Sequence, residues 1–530
     1  MSGQAPNTTP SRDVAGDGHD AASAGRLVRG STWAFTSTLV PQAFTIATSI
    51  VIARVLGTDG VGRVALIAFV SSTLVTLLIL GLPPALIRYV GEELGAGRPA
   101  RVRGLMRSVW RLLALPALLG FVAMATVGAL GGKPAAAWVL GGVACGGAVL
   151  HSVPACFLIG AQRWRDAHIV GITTSVLGSF AKVAALLAGG GVTSLFAVDA
   201  VAVTVNVLGT TYLARRVARR LLPRAEPPGE LTRNVIRFAA IGSIGLVISL
   251  VVFRRTEVLF LQHYSTDTQI ALYSVPFSIV VVLLTVPRSL NMVVAPTVAS
   301  LVGAGEADRV GPGFGRALRL TLAFAIAATA LGAAVGPEFI TLLYGPEFAG
   351  AGPVLAVLLV TLPFVPLMTL SQSVLLGLGR QWVPTGILAI TALVNIALDF
   401  ALIPSFDAIG AAVANSTAQV LGATALVVYA SACVGGVAFH LPAVVRSTAA
   451  AAVAGAAAFG VVVFLPPIAG IPLATVVFLI VALPTAIVVR ALADDDAAWV
   501  AASLGPRVGR SVRRAVAVIP RAPVAWTRDR

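Results

Sequence analysis

A few ionisable side chains lie inside long apolar runs of this sequence, where a charge is costly and commonly has a function. The densest group is Arg254, Arg255 and Glu257, within the run LVVFRRTEVLF. Guanidinium groups bind phosphate oxygens in a bidentate manner, and adjacent arginines on a helix point about 100° apart. Both therefore cannot easily reach the same membrane surface along one line. The group predicts a cationic site for an anionic ligand, or else a structural ion pair between Arg254 and Glu257, three residues apart.

Four more charged residues fall within apolar runs. Lys182 and Asp399 are 217 residues apart, an offset at which neighbouring residues also repeat. Opposite charges at equivalent positions predict either a stabilising salt bridge between two halves or a pair that opens and closes. Arg288 follows Pro287 and is a binding cation or an interfacial residue whose side chain reaches the membrane surface. The candidate substrate-binding residues are Arg254, Arg255, Arg288 and Lys182, and the candidate coupling carboxylates are Glu257, Asp399 and Asp199.

The motifs of soluble enzymes are missing from the sequence. It contains no P-loop, no H-E-x-x-H, no G-x-S-x-G and no C-x-x-C pattern. We therefore expect no enzymatic activity, no cofactor and no metal site. Without a nucleotide-binding loop, transport by this chain would be coupled to an ion or driven by the gradient of its substrate.

Composition defines the elements that must position these residues. Of 530 residues, 57% are hydrophobic and only 11% are charged, with a mean hydropathy of +0.92. These values exclude a soluble enzyme, a disordered chain, a coiled coil and a disulfide-stapled secreted domain. The formal charge of +16 does not indicate nucleic-acid binding, because the cations form short clusters between apolar runs. The composition instead predicts an all-α polytopic membrane protein.

Apolar runs of about 20 residues, the length that spans a bilayer, recur about every 30 residues. We predict 14 spans near 32–53, 64–86, 112–131, 137–160, 169–190, 192–213, 239–261, 270–298, 317–336, 351–376, 385–404, 408–430, 447–467 and 471–490. With the amino terminus inside, the inner segments hold 31 of the 38 cations, and the outer loops hold only Arg54, Arg63 and Lys133. The excess of inner cations predicts a multi-pass protein of the plasma membrane with both termini cytoplasmic.

Short sequences recur in the two halves of the chain. Gly95-Ala96-Gly97 recurs as Gly303-Ala304-Gly305, and Thr58-Asp59 recurs as Thr266-Asp267, both at an offset of 208. Each repeat unit holds six spans, so the two copies enter the membrane from the same side as parallel repeats, with the substrate site expected between them. The expected domains are a disordered cytoplasmic tail (1–25), two six-helix bundles (26–222 and 223–430), two further transmembrane helices (431–490) and a cytoplasmic tail (491–530).

Several motifs in this order resemble a known family. They are Trp33 early in the first span, then IVIARVLGTDGVG, LLYGPEFAGAGPVL and LLGLGRQWVP, within a similarity that covers roughly residues 26–430. The chain resembles the polysaccharide transporters, or oligosaccharide flippases, of the multidrug/oligosaccharidyl-lipid/polysaccharide superfamily. The resemblance implies a V-shaped pair of six-helix bundles with alternating access. It also implies movement of a polyprenyl-diphosphate-linked oligosaccharide from the inner to the outer leaflet, with cavity cations that suit Arg254, Arg255, Arg288 and Lys182.

Three functions compete at this point. The first is the flippase, with lipid-linked oligosaccharide and membrane lipids as partners, glycosyltransferases or a polymerase of a glycan pathway as further candidates, and no nucleic acid. The second is a cation-coupled multidrug exporter, in which Asp199, Glu257 or Asp399 would be the coupling carboxylates. The third is a membrane glycosyltransferase or polymerase, which usually requires a sizeable catalytic loop outside the membrane; the outer loops here are too short for one.

Overall fold

The regular structure of the chain is helical wherever it is described. The computed structural model describes residues 16–79, 81–221, 230–237, 239–240, 243, 256–284, 294–303, 305–380, 382–437 and 441–488. Within these ranges there is no strand, and ten helices are long and apolar enough to cross a membrane. A helix satisfies its backbone hydrogen bonds internally, which hydrocarbon surroundings require. The predicted all-α polytopic membrane protein is confirmed.

The chain divides into two compact units, which we call unit 1 (Met1–Val55 and Ile67–Leu246) and unit 2 (Leu56–Leu66 and Val247–Arg530). The first helix contributes to both units. The first six helices are α1 (Gly16–Ile79), α2 (Leu82–Gly95), α3 (Pro99–Ala129), α4 (Ala135–Gly160), α5 (Trp164–Leu187) and α6 (Val192–Leu221).

Helix α4 is the centre of unit 1 and packs against α2, α3, α5 and α6. Small residues allow this contact: a Cβ atom added at Gly142 would lie 2.9 Å from the carbonyl oxygen of Phe121 on α3, and one at Gly146 would lie 2.9 Å from that of Ala117. Close approach of this kind is how membrane helices associate when lipid supplies no hydrophobic driving force.

The second predicted span, 64–86, is interrupted in the structure. Helix α1 ends at Ile79 and α2 begins at Leu82, with Gly81 between them at a φ of 61°. That left-handed conformation suits glycine, and the two prolines that follow Leu82 fit the first turn of a new helix. Hydropathy alone did not reveal the break, because the residues on both sides are apolar.

In unit 2 the helices are shorter and more often interrupted. They are α7 (Glu257–Tyr264), α8 (Asp267–Leu283), α9 (Val294–Gly303), α10 (Val310–Tyr344), α11 (Ala351–Leu359), α12 (Thr361–Gly377), α13 (Trp382–Cys433), α14 (Leu441–Phe464) and α15 (Pro467–Val488). Helices α14 and α15 pack against each other and against α10. The predicted span 239–261 lies mostly outside the described residues, and the predicted domain boundaries remain predictions.

A sharp kink at Asp407 divides α13, which is 52 residues long, into two limbs. Asp407 has a φ of 47°, and its carboxylate accepts a hydrogen bond from the hydroxyl of Ser265. The kink separates the two predicted spans 385–404 and 408–430. It lets one limb carry Asn395 and Asp399 and the returning limb carry Asn415 and Gln419.

The part of α1 that belongs to unit 2 is fixed by polar contacts to the start of α8. Thr268 donates a hydrogen bond to Asp59 (Oγ1 to Oδ1, 2.5 Å), and Arg63 pairs with Asp267 (Nε to Oδ2, 2.9 Å). Gly62 makes the approach possible, because a Cβ there would lie 1.9 Å from the backbone oxygen of Asp267. Both copies of the repeated Thr-Asp sequence, Thr58-Asp59 and Thr266-Asp267, therefore lie where α1 contacts the start of α8.

Candidate functional site

Glu257, the first residue of α7, is completely buried in unit 2 and bonded to two amides of α13. Its Oε1 accepts hydrogen bonds from Asn415 Nδ2 at 2.7 Å and from Asn395 Nδ2 at 3.2 Å. The buried carboxylate of Glu257 thus accepts a hydrogen bond from one amide on each limb of α13.

The same network reaches a second buried carboxylate. Asn395 also donates to Asp399 (Nδ2 to Oδ2, 3.1 Å), and Gln419 donates to Asn415 (Nε2 to Oδ1, 2.7 Å). The pairs Asn395/Asp399 and Asn415/Gln419 are each four residues apart, so each pair lies on one helical face. We call these five residues, Glu257, Asn395, Asp399, Asn415 and Gln419, the acid–amide cluster. None of them is more than 5% exposed.

The acid–amide cluster has more acceptors than donors. Glu257 Oε2, Asp399 Oδ1 and Gln419 Oε1 are buried and have no hydrogen-bond partner among the described residues. Removing an ionised carboxylate from water costs several kcal/mol unless a counter-charge is supplied. Two carboxylates enclosed in this way are therefore stabilised by a proton or by a positive charge nearby.

The chemistry of the donor set favours a proton or a hard cation over a transition metal. In the described part of the chain, no group of three or more His, Cys, Asp or Glu side chains is arranged to hold a metal ion. Carboxylate and amide oxygens are hard ligands, which bind hard cations without d-electron preferences. The cluster can hold either a proton shared by the carboxylates or a small hard cation.

Lys182 and Asp199 form an ion pair within unit 1. Lys182 Nζ lies 2.7 Å from Asp199 Oδ1, joining α5 to α6, and the two side chains are 23% and 38% exposed. This pairing differs from the one with Asp399 that the repeat offset suggested. Helices α5 and α6 are consecutive and packed together, which brings Asp199 to Lys182, whereas Asp399 is enclosed by the acid–amide cluster.

Other polar residues inside the spans make hydrogen bonds between or along helices. In unit 1, Thr210 on α6 donates to Asn206 Oδ1 at 3.2 Å and lies 3.3 Å from His151 Nε2 on α4. Because the hydroxyl hydrogen is used on Asn206, the geometry assigns the donor role in the second contact to the imidazole. Such hydrogen bonds between neighbouring helices are the ordinary role of isolated polar residues in membrane spans.

The predicted arginine site cannot be compared with the structure. Arg254, Arg255 and Arg288 lie outside the described residues. Their role as substrate-binding cations therefore stays a prediction. Glu257 accepts hydrogen bonds from two amides of α13, so the predicted ion pair with Arg254 is not needed to give this carboxylate a partner.

The sequence predicted the two acids of the acid–amide cluster, Glu257 and Asp399, but not the amides that surround them. The amides Asn395, Asn415 and Gln419 are not among the candidate residues that the sequence predicted. One signal was available: Asn395/Asp399 and Asn415/Gln419 repeat the same four-residue spacing on either side of the Pro404–Asp407 break. Such spacing puts each polar pair on one face of its helix.

Comparison with solved structures shows the fold. The structure of the chain resembles that of the lipid II flippase MurJ in an inward closed conformation, with a TM-score of 0.66 and 13% identity over 87% of this chain and 99% of that one. It also resembles an inward-facing multidrug resistance MATE family transporter of the MOP superfamily, with a TM-score of 0.65 and 12% identity over 77% and 98%. A MOP superfamily transporter from Pyrococcus furiosus gives a TM-score of 0.56 at 13% identity, over 77% and 95%.

Two family models together match most of the chain. A search of curated proteins gave no match. The model described as lipid II flippase MurJ matches residues 269–483. The model described as polysaccharide biosynthesis protein matches residues 27–302, which is half of the chain. Together with the all-helical membrane fold, these matches identify the chain as a member of the polysaccharide biosynthesis protein family.

Proposed function

We propose that this protein moves a polyprenyl-diphosphate-linked oligosaccharide from the inner to the outer leaflet for polysaccharide or glycan biosynthesis, by alternating access. We further propose that a proton or small monovalent cation bound at the acid–amide cluster is coupled to that movement. The observation that carries the proposal is the pair of fully buried carboxylates, Glu257 and Asp399, whose remaining oxygens have no donor among the described residues. The family matches support the flippase activity.

The cluster suits a coupling role because its charge balance depends on what it binds. Without a bound cation, two ionised carboxylates in apolar surroundings repel each other and lack hydration. A conformation that opens the cluster to water is then favoured, whereas binding of a proton or cation favours the closed arrangement. A ligand that prefers one conformation shifts the equilibrium by its difference in affinity, which is how an ion gradient can drive a transport cycle.

Headgroup binding is assigned in the proposal to the cations Arg254, Arg255, Arg288 and Lys182. A diphosphate with attached sugars cannot enter hydrocarbon unaided, because loss of its hydration is too costly. Guanidinium and ammonium groups replace that hydration with charge-assisted hydrogen bonds. Membrane lipids are obligatory surroundings, and glycosyltransferases or a polymerase of the same pathway are the proposed protein partners.

A cation-coupled multidrug exporter is the second candidate. It is favoured by the resemblance to a MATE family transporter and by the same buried carboxylates. The flippase is preferred because the MurJ family model matches residues 269–483, which include four of the five residues of the acid–amide cluster, all but Glu257, and α14.

The two candidates differ in what they transport. The purified protein would be reconstituted in liposomes that carry a fluorescent polyprenyl-diphosphate oligosaccharide, and a membrane-impermeant quencher would report the outer-leaflet fraction. We expect the protein to speed equilibration between leaflets, while liposomes without protein do not. No acceleration for any polyprenyl diphosphate, together with uptake of a cationic drug, would replace the flippase by the exporter.

A further inference from the structure

One face of α3, in unit 1, carries two arginines above a row of exposed apolar side chains. Residues at intervals of three or four lie on one side of a helix. We call the residues that follow this spacing the α3 stripe; they are Arg107, Arg111, Leu115, Leu118 and Val122. The three apolar members are 62%, 57% and 46% exposed. Every side chain from residue 112 to residue 125 is apolar. Because polar residues within spans face water-filled cavities, a face without them is expected to contact lipid.

The length of α3 places the two arginines at the depth of the lipid headgroups. Arg111 is 18 residues before the end of α3 at Ala129, which is about 27 Å along the helix axis. The hydrocarbon core of a bilayer is about 30 Å thick. Arg111 therefore lies where the hydrocarbon ends, and Arg107 lies one helical turn further out, among the headgroups. Trp110 beside them is 40% exposed, as is common for tryptophan at this boundary.

No acid of the described residues forms an ion pair with either arginine of the stripe. Helix α3 contains no Asp or Glu, and neither does α4, its main packing partner. The two acids of α2 pair with other arginines, Glu92 with Arg88 and Glu93 with Arg98. The two guanidinium groups of the stripe are exposed, so they are available to an anion of the bilayer.

The corresponding face of unit 2 is covered by the chain itself. At the repeat offset of 208, Leu119 and Val122 on α3 correspond to Ala327 and Ala330 on α10. These alanines pack against the cluster that α14 and α15 form with α10. A Cβ atom added at Gly455 on α14 would lie 3.3 Å from the backbone oxygen of Ala330. Small side chains allow another helix to approach this closely, whereas leucine and valine on α3 favour lipid chains as neighbours.

The two units also differ at the first arginine. Arg107 corresponds to Gly315 on α10, where an added Cβ atom would lie 2.9 Å from a side-chain carbon of Val437. Unit 2 thus buries this position under the segment between α13 and α14. In unit 1 the same position is exposed and carries a guanidinium group. A surface that the chain covers in unit 2 is therefore open and cationic in unit 1.

We infer that the α3 stripe binds an anionic phospholipid of the bilayer, with the phosphate on Arg107 and Arg111 and the acyl chains along the apolar side chains. By the predicted topology this lipid belongs to the inner leaflet. Guanidinium groups bind phosphate oxygens with two parallel hydrogen bonds, and a headgroup without an amine leaves the phosphate free for them. The bound lipid covers α3 as α14 and α15 cover α10. This inference does not depend on which molecule the protein transports.

The test is native mass spectrometry of the full-length protein in detergent. The probes are phosphatidylglycerol and phosphatidylcholine with the same acyl chains. We expect the wild type to bind phosphatidylglycerol more tightly. Arg107→Gln together with Arg111→Gln should weaken that binding about tenfold, as expected for the loss of charge-assisted hydrogen bonds, and should leave phosphatidylcholine binding unchanged.

A matched control and a conservative variant separate lipid binding from other effects of charge. Arg233 and Arg237 are also exposed and four residues apart, so changing both to Gln removes the same charge elsewhere in unit 1 and should preserve the preference for phosphatidylglycerol. Arginines also direct membrane topology. Changing Arg107 and Arg111 to Lys keeps that charge but loses the two-bond geometry, so this variant should insert normally and bind phosphatidylglycerol severalfold more weakly than the wild type.

Three results would overturn the inference. The first is equal binding of the two phospholipids by the wild type, and the second is an unchanged preference in both the Gln and the Lys variants of the stripe. An equal loss in the Arg233/Arg237 control would show that binding follows net charge and not this site. A polyprenyl diphosphate that displaces phosphatidylglycerol from the wild type but not from the stripe variants would assign the stripe to that lipid instead.

Discussion

At the scale of single residues, the acid–amide cluster is organised by the direction of its hydrogen bonds. Asn395 donates to both Glu257 and Asp399, and Asn415 donates to Glu257. Each of these bonds brings an N–H to a carboxylate, so the unpaired groups that remain are oxygens. Because the unpaired buried atoms of the cluster among the described residues are all acceptors, the cluster suits a donor or a cation.

Asn395→Leu tests this arrangement. The substitution removes the donor shared by both carboxylates, so the variant should lose about 1–3 kcal/mol of stability. It should also lose most of the rise in melting temperature that the coupling cation gives the wild type, since the carboxylates are no longer held together. Thermal unfolding in detergent over a series of sodium concentrations and pH values measures both effects.

The matched control is Asn206→Leu in unit 1, where the amide accepts a hydrogen bond from Thr210 and contacts no carboxylate. This variant should melt earlier but should keep the full cation-dependent rise. An Asn395→Leu variant that still gains as much from the cation as the wild type would remove Asn395 from the cation site.

The composition of the sequence predicted the charged members of the site but not their partners. An acid within an apolar run, such as Glu257 or Asp399, can be recognised from the sequence, because its desolvation cost depends on the apolar residues next to it in the chain. Which amides meet it depends on how the two limbs of α13 fold back, and no local pattern specifies that packing. For the same reason, the sequence did not predict the ion-pair partner of Lys182, which is Asp199 on the adjacent helix.

At the scale of elements, hydropathy predicted where helices run and missed where some of them break. The run around Gly81 is apolar on both sides, so an average over the window shows no interruption. The break near Asp407 was predicted, because Pro404 and Asp407 interrupt the apolar run. Backbone conformation, such as the positive φ of Gly81, is not encoded in hydrophobicity.

The kink in α13 makes its own prediction. Asp407 has a positive φ and accepts a hydrogen bond from Ser265. Both substitutions lose the bond, about 0.5–1.5 kcal/mol, but Asp407→Gly also relieves the cost of about 1–2 kcal/mol that a residue with a Cβ atom bears in a left-handed backbone. We therefore expect the Gly variant to melt at a higher temperature than the Ala variant, with Ser265→Ala close to the Ala variant. Equal stability of the Gly and Ala variants would show that the kink does not constrain this residue.

Helices α14 and α15 extend unit 2 through a contact of small residues. Ala454 and Ala458 on α14 are 0% exposed and cluster with Ala334 on α10. Ala458→Leu should therefore overpack this contact and cost about 1–3 kcal/mol. Ala456→Leu, at an exposed position two residues away, should stay within about 0.5 kcal/mol of the wild type. Equal melting temperatures for the two variants would mean that α14 is not held by this face.

At the scale of the whole molecule, the two units differ in the charge they offer. Unit 2 encloses two acids that have no ion-pair partner among the described residues, and unit 1 holds a lysine paired with a partly exposed acid. The sequence predicted the repeat offset and the charges, but the difference between an enclosed site and an open pair became visible only from burial. Under the proposed function, the enclosed site takes up the coupling cation and the open pair receives the anionic substrate.

The central claim is that the acid–amide cluster couples a cation gradient to flipping. The direct measurement is the leaflet-exchange rate of a polyprenyl-diphosphate oligosaccharide in proteoliposomes, with a proton or sodium gradient imposed in separate experiments. We predict that one of the two gradients accelerates the wild type. In the double variant Glu257→Gln with Asp399→Asn, the gradient should have no effect, while folding and binding of the polyprenyl diphosphate are retained. A double variant that responds to the gradient as the wild type does would contradict the account.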